Sequence, residues 1–201
     1  MKLKNSITTV LISVIVAVYI VAHYALSITW GGVPLQDQLL LVGKIPLNDG
    51  TSLGVFGGQW WRVLTVALTH ANWLHLGFNM MAFFQLGNII ERYYGRVRYS
   101  VILFLSLVTS SLVAVWLLPA GQPCVGASGM IYGLFGALLV MGKRAGVDYR
   151  QLVGNIVINL IITFSIPGIA WQAHLGGLVG GIGAAFLIQS LHQNPSRQTW
   201  E

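Results

Sequence analysis

The chain has 201 residues, of which only 8% are Asp, Glu, Lys or Arg, whereas soluble globular proteins contain about 25%. Hydrophobic residues make up 55% of the chain. The small share of charged residues and the large share of hydrophobic residues exclude a soluble globule, a disordered chain and a nucleic-acid-binding module built on basic surface. The single cysteine, Cys124, cannot pair within the chain, which excludes a disulfide-stapled secreted scaffold. The composition therefore indicates a polytopic membrane protein.

Six apolar runs are predicted to be transmembrane helices, since about 20 apolar residues cross a hydrocarbon core of about 30 Å. Four runs reach that length without a charged residue: 7–28, 71–90, 99–118 and 169–191. Two shorter runs are too apolar for surface loops and are interpreted as spans four and five: 127–141 and 151–166. The first run could instead be a signal peptide, but its 22 residues exceed the usual apolar region of about 7–15 residues. We expect one all-α domain of six membrane helices over residues 1–201.

The positive charges indicate the orientation of these spans. The net charge is +6, and the eleven basic residues fall in short clusters between long charge-free runs. With a cytoplasmic amino terminus, nine of them lie inside and only Lys44 and Arg62 lie outside, as the positive-inside rule describes. Both termini are then cytoplasmic, and residues 31–69 form a long external loop. Trp60 and Trp61 suit a membrane interface, so we expect part of this loop to lie in the outer leaflet.

Polar residues inside apolar spans are costly and are therefore functional candidates. Four of them fall in one band, roughly 5–12 Å below the outer edge of the hydrocarbon core: His75, Asn79, Ser128 and His174. They belong to spans two, four and six, which run in the same direction, so one shared site is geometrically available. His70 and His75 are five residues apart, about 140° around a helix, which argues against a two-histidine metal clamp. A lone histidine in a span is, however, often only a hydrogen-bonded packing residue.

Ser128 lies in a Gly-Ala-Ser-Gly motif at 126–129, at the start of span four. Unpaired N–H groups and the positive dipole end of a helix start could stabilise an oxyanion there. The alternative function of the glycines is tight helix packing, because span four carries a small-xxx-small face. Its members are Gly129, Gly133 and Ala137, and span six carries a matching pair, Gly177 and Gly181.

The acidic residues do not supply a third catalytic group. None falls within the outer-leaflet band: Asp37, Asp49, Glu91, Asp148 and Glu201. A hydrolase built on Ser128 and His174 would therefore use a dyad. Tyr132 lies four residues after Ser128, on the same helical face, so its ring could orient the imidazole, although it could equally be an ordinary packed aromatic residue.

Taken together, these motifs resemble those of the rhomboid intramembrane serine proteases, and in particular of a compact six-span bacterial member. The resemblance runs from about residue 60 to residue 181. It rests on Trp61-Arg62, on His70, His75 and Asn79, on Glu91, on Gly126-Ala127-Ser128-Gly129 with Tyr132 and Gly133, and on Ala173-His174 with Gly177 and Gly181.

The resemblance implies a role for each matched residue. Ser128 would be the nucleophile and His174 the general base and acid. The Ser128 N–H with His75 and Asn79 would form the oxyanion hole, and Tyr132 would stack on His174. Gly126 is expected in the oxyanion and substrate-binding region, where flanking glycines let a substrate backbone approach closely. Trp61, Arg62, Glu91 and His70 match supporting positions.

The resemblance also implies the reaction and its setting. Rhomboid proteases cleave transmembrane segments of other membrane proteins near the outer face of the bilayer, without cofactor or metal. We expect an integral protein of a bacterial inner membrane, with no nucleic-acid partner. The sequence identifies neither the substrate nor the oligomeric state.

Two other functions are weighed against proteolysis. A catalytically silent rhomboid-like protein would bind membrane clients, but such relatives typically lack the serine or the histidine. A transporter could use intramembrane histidine and asparagine, but corresponding half-repeats are not evident. Two other classes of intramembrane protease are excluded, because the chain has no His-Glu-x-x-His motif and no pair of intramembrane aspartates.

Overall fold

The computed structural model describes residues 6–24, 29–30, 33–142, 148, 150, 153–154, 156–158, 161 and 168–192. Five long helices account for most of this part of the chain: α1 (Ile7–Tyr24), α4 (Trp73–Tyr94), α5 (Arg96–Leu117), α6 (Ser128–Met141) and α7 (Trp171–His192). They coincide, within a few residues at each end, with predicted spans one, two, three, four and six. Predicted span five, 151–166, lies mostly outside the described residues.

Two of these helices are long and apolar enough to cross a membrane, Arg96–Leu117 and Trp171–Leu191. Two shorter apolar helices accompany them, Ile7–His23 and Ser128–Met141. The described part of the chain is therefore mostly helical, with apolar helices, as the predicted membrane architecture requires. The count of six spans stays a prediction.

Short elements fill the first loop: hairpin strands β1 (Thr29–Trp30) and β2 (Val33–Pro34), helix α2 (Leu35–Leu39), strands β3 (Ile45–Pro46) and β4 (Ser52–Leu53), and helix α3 (Arg62–Thr65) between the 3₁₀ turns Val55–Gly57 and Val66–Leu68. Arg62 organises this loop from a buried position, with only 4% of its surface exposed. Its guanidinium donates to the carbonyls of Asp37 and Leu40 (both 2.7 Å) and to Gln59 Oε1 (2.8 Å). Desolvation by burial lowers the pKa of Arg62, and the three acceptors offset the cost of that burial.

Glycines let α6 and α7 pack backbone against backbone. A methyl group at Gly177 would overlap the carbonyl of Gly129, and one at Gly181 would overlap the carbonyl of Gly133. The serines of α5 complete the contact, since a methyl group at Gly133 would also meet Ser106 Oγ. The small-residue faces predicted from the sequence are thus confirmed as the seam between α6 and α7.

Glu91 fixes α1 to the far end of α4. Its buried carboxylate accepts hydrogen bonds from Ser6 Oγ (2.6 Å), Ile7 N (2.8 Å), Thr8 N (3.1 Å) and Thr8 Oγ1 (2.8 Å). The hydroxyls of Thr8 and Tyr99 are 2.9 Å apart, which extends this network to α5. A carboxylate at the N-terminus of a helix satisfies its free N–H groups and complements its dipole. Glu91 is therefore engaged in holding helices together.

Candidate active site

The N-terminus of α6 and the first turn of α7 bring a serine and a histidine into contact. Ser128 is the first residue of α6, and His174 is the fourth residue of α7. Ser128 Oγ lies 2.9 Å from His174 Nε2, which is hydrogen-bond distance for a nucleophile and its base. His174 is buried, at 8% exposure, whereas Ser128 is partly exposed. This pair is the one expected from the sequence.

Tyr132 lies one turn after Ser128 in α6, and its ring covers the imidazole of His174. The rings of Tyr132 and His174 are stacked, with centroids 4.2 Å apart and planes at 11°. Tyr132 is itself buried, at 4% exposure, so its ring has little freedom to move. The predicted stacking is confirmed as a contact, and it restricts rotation of the imidazole about its side-chain bonds.

Backbone hydrogen bonds to the first loop hold the segment that precedes Ser128. Leu41 and Cys124 form an isolated antiparallel bridge, in which each N–H donates to the other's carbonyl (3.0 and 2.8 Å). Gly126 N donates to the carbonyl of Val66 at 3.1 Å, and the φ of Gly126 is 115°, which favours glycine. The sequence did not reveal these anchors, since pairing between distant loops leaves no periodic signal.

The imidazole of His75 has a hydrogen-bond donor on the side that faces Gly126 and Ser128. Its Nδ1 accepts from Ala71 N at 3.3 Å, so the neutral ring carries its proton on Nε2. A methyl group built on Gly126 would lie 3.1 Å from that Nε2 and 3.7 Å from Ser128 Oγ. Gly126 therefore leaves a gap between the imidazole and the hydroxyl, and a side chain there would close it.

Asn79 lies one turn further along α4 and is buried, at 7% exposure. Its Nδ2 donates to the carbonyl of His75 at 2.8 Å, which uses one of the two amide protons and leaves the other for a ligand. Its Oδ1 is buried without a hydrogen-bond partner in the described part of the chain. The asparagine is thus held by its own helix, as expected for a preorganised donor.

His70 precedes α4 and is not part of it, because Asn72 is the N-cap of that helix. The helical angle between His70 and His75 that the sequence suggested is therefore wrong, and their rings lie in contact, with centroids 5.1 Å apart. His70 is fully buried, and its Nε2 accepts from Ala127 N at 3.4 Å. Burial, with a smaller effect from His75, lowers the pKa of His70 to about 3. The ring stays neutral at pH 7 and supports the loop before Ser128.

The chain matches a family profile described as the Rhomboid domain over residues 57–191. It is 33% identical over 166 residues to the rhomboid protease GluP of Bacillus subtilis, covering 74% of this chain and 32% of GluP. It is 30% identical over 200 residues to the rhomboid protease GlpG of Pectobacterium atrosepticum, covering 96% of this chain and 65% of GlpG.

A plant relative is also similar. The RHOMBOID-like protein 5 of Arabidopsis thaliana is 29% identical over 167 residues, covering 77% of this chain and 54% of that protein. This chain therefore spans about a third of GluP and just over half of the plant protein. The family profile extends from the end of the first loop through α7 and includes the site residues on α4, α6 and α7. On this evidence the chain belongs to the rhomboid family.

Proposed function

We propose that this protein is an intramembrane serine endopeptidase that cleaves transmembrane segments of other membrane proteins near the outer face of the bilayer. The observation that carries the proposal is the 2.9 Å contact between Ser128 Oγ and His174 Nε2 at the N-terminus of α6. Relatives named as rhomboid proteases support the same activity. The reaction requires no metal or cofactor, because a serine and a base suffice for acyl transfer.

The proposed reaction follows the serine-hydrolase template. His174 Nε2 accepts the Ser128 proton while Oγ attacks the scissile carbonyl carbon, and the carbonyl oxygen becomes an oxyanion. The Ser128 N–H, the Nε2–H of His75 and the free Nδ2 proton of Asn79 would stabilise that oxyanion. His174 then gives its proton to the leaving amine, and water hydrolyses the acyl-enzyme by the same steps. Tyr132 keeps the imidazole in place through both halves of the reaction.

A silent client-binding protein is the alternative function. It would retain the helical framework without needing a nucleophile, a base or a donor aimed at the nucleophile. The contact of Ser128 with His174 and the proton on His75 Nε2 both favour catalysis, because neither serves client binding.

The deciding experiment measures cleavage of a fluorogenic transmembrane peptide by protein reconstituted in bilayers, alongside labelling by a fluorophosphonate. Ser128→Ala and His174→Ala should each abolish cleavage, and the double variant should be no worse, because residues acting as a unit show non-additive losses. Ser190→Ala is the matched control, since that serine is exposed and its Oγ donates to Leu187 O within α7.

The outcomes separate the two functions. Loss of cleavage and labelling in Ser128→Ala, with both retained in Ser190→Ala, would support the dyad. Residual proteolysis in Ser128→Ala would contradict the assignment of the nucleophile. A folded wild-type protein that neither cleaves nor reacts with the fluorophosphonate would favour the silent client-binding function.

A further inference from the structure

A polar groove lies on α4, on a face that the dyad does not use. It is shallow and open, because all its lining residues belong to α4: Phe84, Gln85, Asn88, Ile89 and Arg92. Its three polar residues follow the spacing i, i+3, i+7 and so lie on one face of the helix. Asn79 precedes Gln85 by six residues, which places the groove about 120° around the helix from the oxyanion donors. The groove is therefore separate from the candidate active site.

The polar side chains of the groove are turned into the span and away from its end. Arg92 Nε donates to the carbonyl of Asn88 at 2.9 Å, and Asn88 Nδ2 donates to the carbonyl of Phe84 at 2.7 Å. An arginine at the end of a membrane helix usually extends towards water, whereas Arg92 folds back by one turn. Its Nη groups make no hydrogen bond within the described part of the chain. They remain available to a ligand in the groove.

Because the groove extends into the predicted span, its polar side chains cost free energy when no ligand contacts them. Gln85 is exposed and lies about 10 Å from Arg92 along the helix axis, deeper in the span. In the predicted membrane orientation this exposed face of α4 meets lipid, where an amide and a guanidinium are costly unless a polar group contacts them. Phe84 and Ile89 flank them with apolar surface. The groove thus combines a cation, two amides and apolar walls, and this combination matches the headgroup and the upper acyl chain of a phospholipid.

We propose that this groove binds an anionic phospholipid of the inner leaflet, with its phosphate on Arg92 and Asn88. Charge complementarity selects the occupant, because Arg92 is cationic, and the neighbouring carboxylate, Glu91, is buried and directed towards α1, where it accepts four hydrogen bonds. A guanidinium is well matched to phosphate oxygens. The proposal rests on the proposed orientation of α4, with Arg92 at the cytoplasmic side, and does not require proteolysis.

The test is native mass spectrometry of the detergent-purified Ser128→Ala protein, titrated with phosphatidylglycerol, phosphatidylcholine or inorganic phosphate. Using this variant makes the result independent of catalysis. Phosphatidylglycerol should bind more tightly than phosphatidylcholine, and Arg92→Gln should weaken its binding about tenfold, as expected for the loss of a charge-assisted hydrogen bond. Arg98→Gln is the matched control, because it removes the same charge from an exposed residue near the same helix end, outside the groove.

A second variant tests the depth of the groove without changing its charge. Gln85→Leu should weaken phosphatidylglycerol binding several-fold, and since Gln85 is exposed, the substitution leaves the core intact. Equal losses in Arg92→Gln and Arg98→Gln would indicate diffuse attraction and overturn the proposal. Equal affinity for the two lipids would overturn it as well. So would Arg92-dependent binding of inorganic phosphate without binding of lipid.

Discussion

At the scale of single residues, the proposed oxyanion donors differ in how firmly they are held. Asn79 is fixed by its own helix through the carbonyl of His75, whereas the imidazole of His75 is oriented by Ala71 N from the loop before α4. The backbone N–H of Ser128 is present whatever side chains surround it. The proposed oxyanion hole therefore has three donors of different origin, and the loss of one leaves two.

Asn79→Ala should lower kcat by roughly tenfold to a hundredfold. Removing one preorganised donor costs about 10²–10³ in soluble serine proteases, and water entering the site can replace part of a lost side chain. The double variant His75→Ala/Asn79→Ala should fall well beyond either single one, while substrate affinity changes little, because these contacts form mainly in the transition state. Kinetics in reconstituted bilayers would separate kcat from KM. Weakened affinity with unchanged turnover would instead make both residues substrate contacts.

Tyr132 is expected to act through its ring. Tyr132→Leu should lower kcat by roughly twofold to tenfold, since a stacked aromatic pair contributes about 0.5–1.5 kcal/mol beyond its buried area, and Tyr132→Phe should retain most of the activity. The pH profile of kcat is the second readout, because loss of stacking changes the environment of His174 whereas a purely structural defect lowers the rate at every pH. Equal loss in both variants, with unchanged pH profiles, would make Tyr132 a packing residue.

The residues that bear the proposed chemistry could be predicted from the sequence, because each is a polar residue in an apolar span. The residues that hold them in place could not be predicted in the same way. Val66 contributes only its carbonyl, which any residue could supply, and the support that His70 gives to Ala127 depends on a loop conformation. Polar side chains that are costly in a membrane can therefore be found from the sequence, whereas residues that act through their backbone groups cannot.

At the scale of helices, the seam between α6 and α7 sets the distance between Ser128 and His174. Gly177→Ala should destabilise the protein by about 1–3 kcal/mol, the usual cost of overpacking, because its new methyl group would meet the backbone of Gly129, which cannot rotate away. Gly183→Ala is a matched control in the same helix, since nothing lies within 4 Å of a methyl group there. That variant should be neutral or slightly stabilised, because alanine favours helix over glycine.

Thermal unfolding in detergent, followed by tryptophan fluorescence, would compare the two variants. Equal midpoints for Gly177→Ala and Gly183→Ala would show that the seam tolerates separation. A lower midpoint and lower turnover in Gly177→Ala alone would link helix packing to the geometry of the dyad.

The positions of the helices could be predicted from the sequence better than the structure of the loops that connect them. Long apolar runs predict helices because the bilayer imposes both length and composition, and α5 and α7 follow that rule closely. The first loop has no such constraint. Arg62 holds this loop through the carbonyls of Asp37 and Leu40, and the bridge between Leu41 and Cys124 ties it to the segment before α6. Both contacts join residues far apart in the chain.

At the scale of the whole molecule, the site and the lipid groove fall at opposite ends of the helices. Ser128 and His174 lie at the N-terminal ends of α6 and α7, and Arg92 lies near the C-terminal end of α4. The charge distribution predicts that Arg92 lies at the cytoplasmic side, and the same orientation would place the dyad towards the outside. One measurement of orientation tests both placements.

Labelling of introduced cysteines can determine the orientation of the protein in the membrane, because the native thiol reacts poorly. Cys124 is buried, and that burial raises the pKa of its thiol to about 12, so little reactive thiolate forms at pH 7–8. Ala120→Cys, exposed in the loop before α6, should react with a membrane-impermeant maleimide in intact cells. Val97→Cys, 79% exposed at the start of α5, is the opposite control and should react only after permeabilisation. The expectation follows from the excess of basic residues assigned to the inside. The reverse pattern would invert the protein, moving the dyad to the cytoplasmic leaflet and the lipid groove to the outer one.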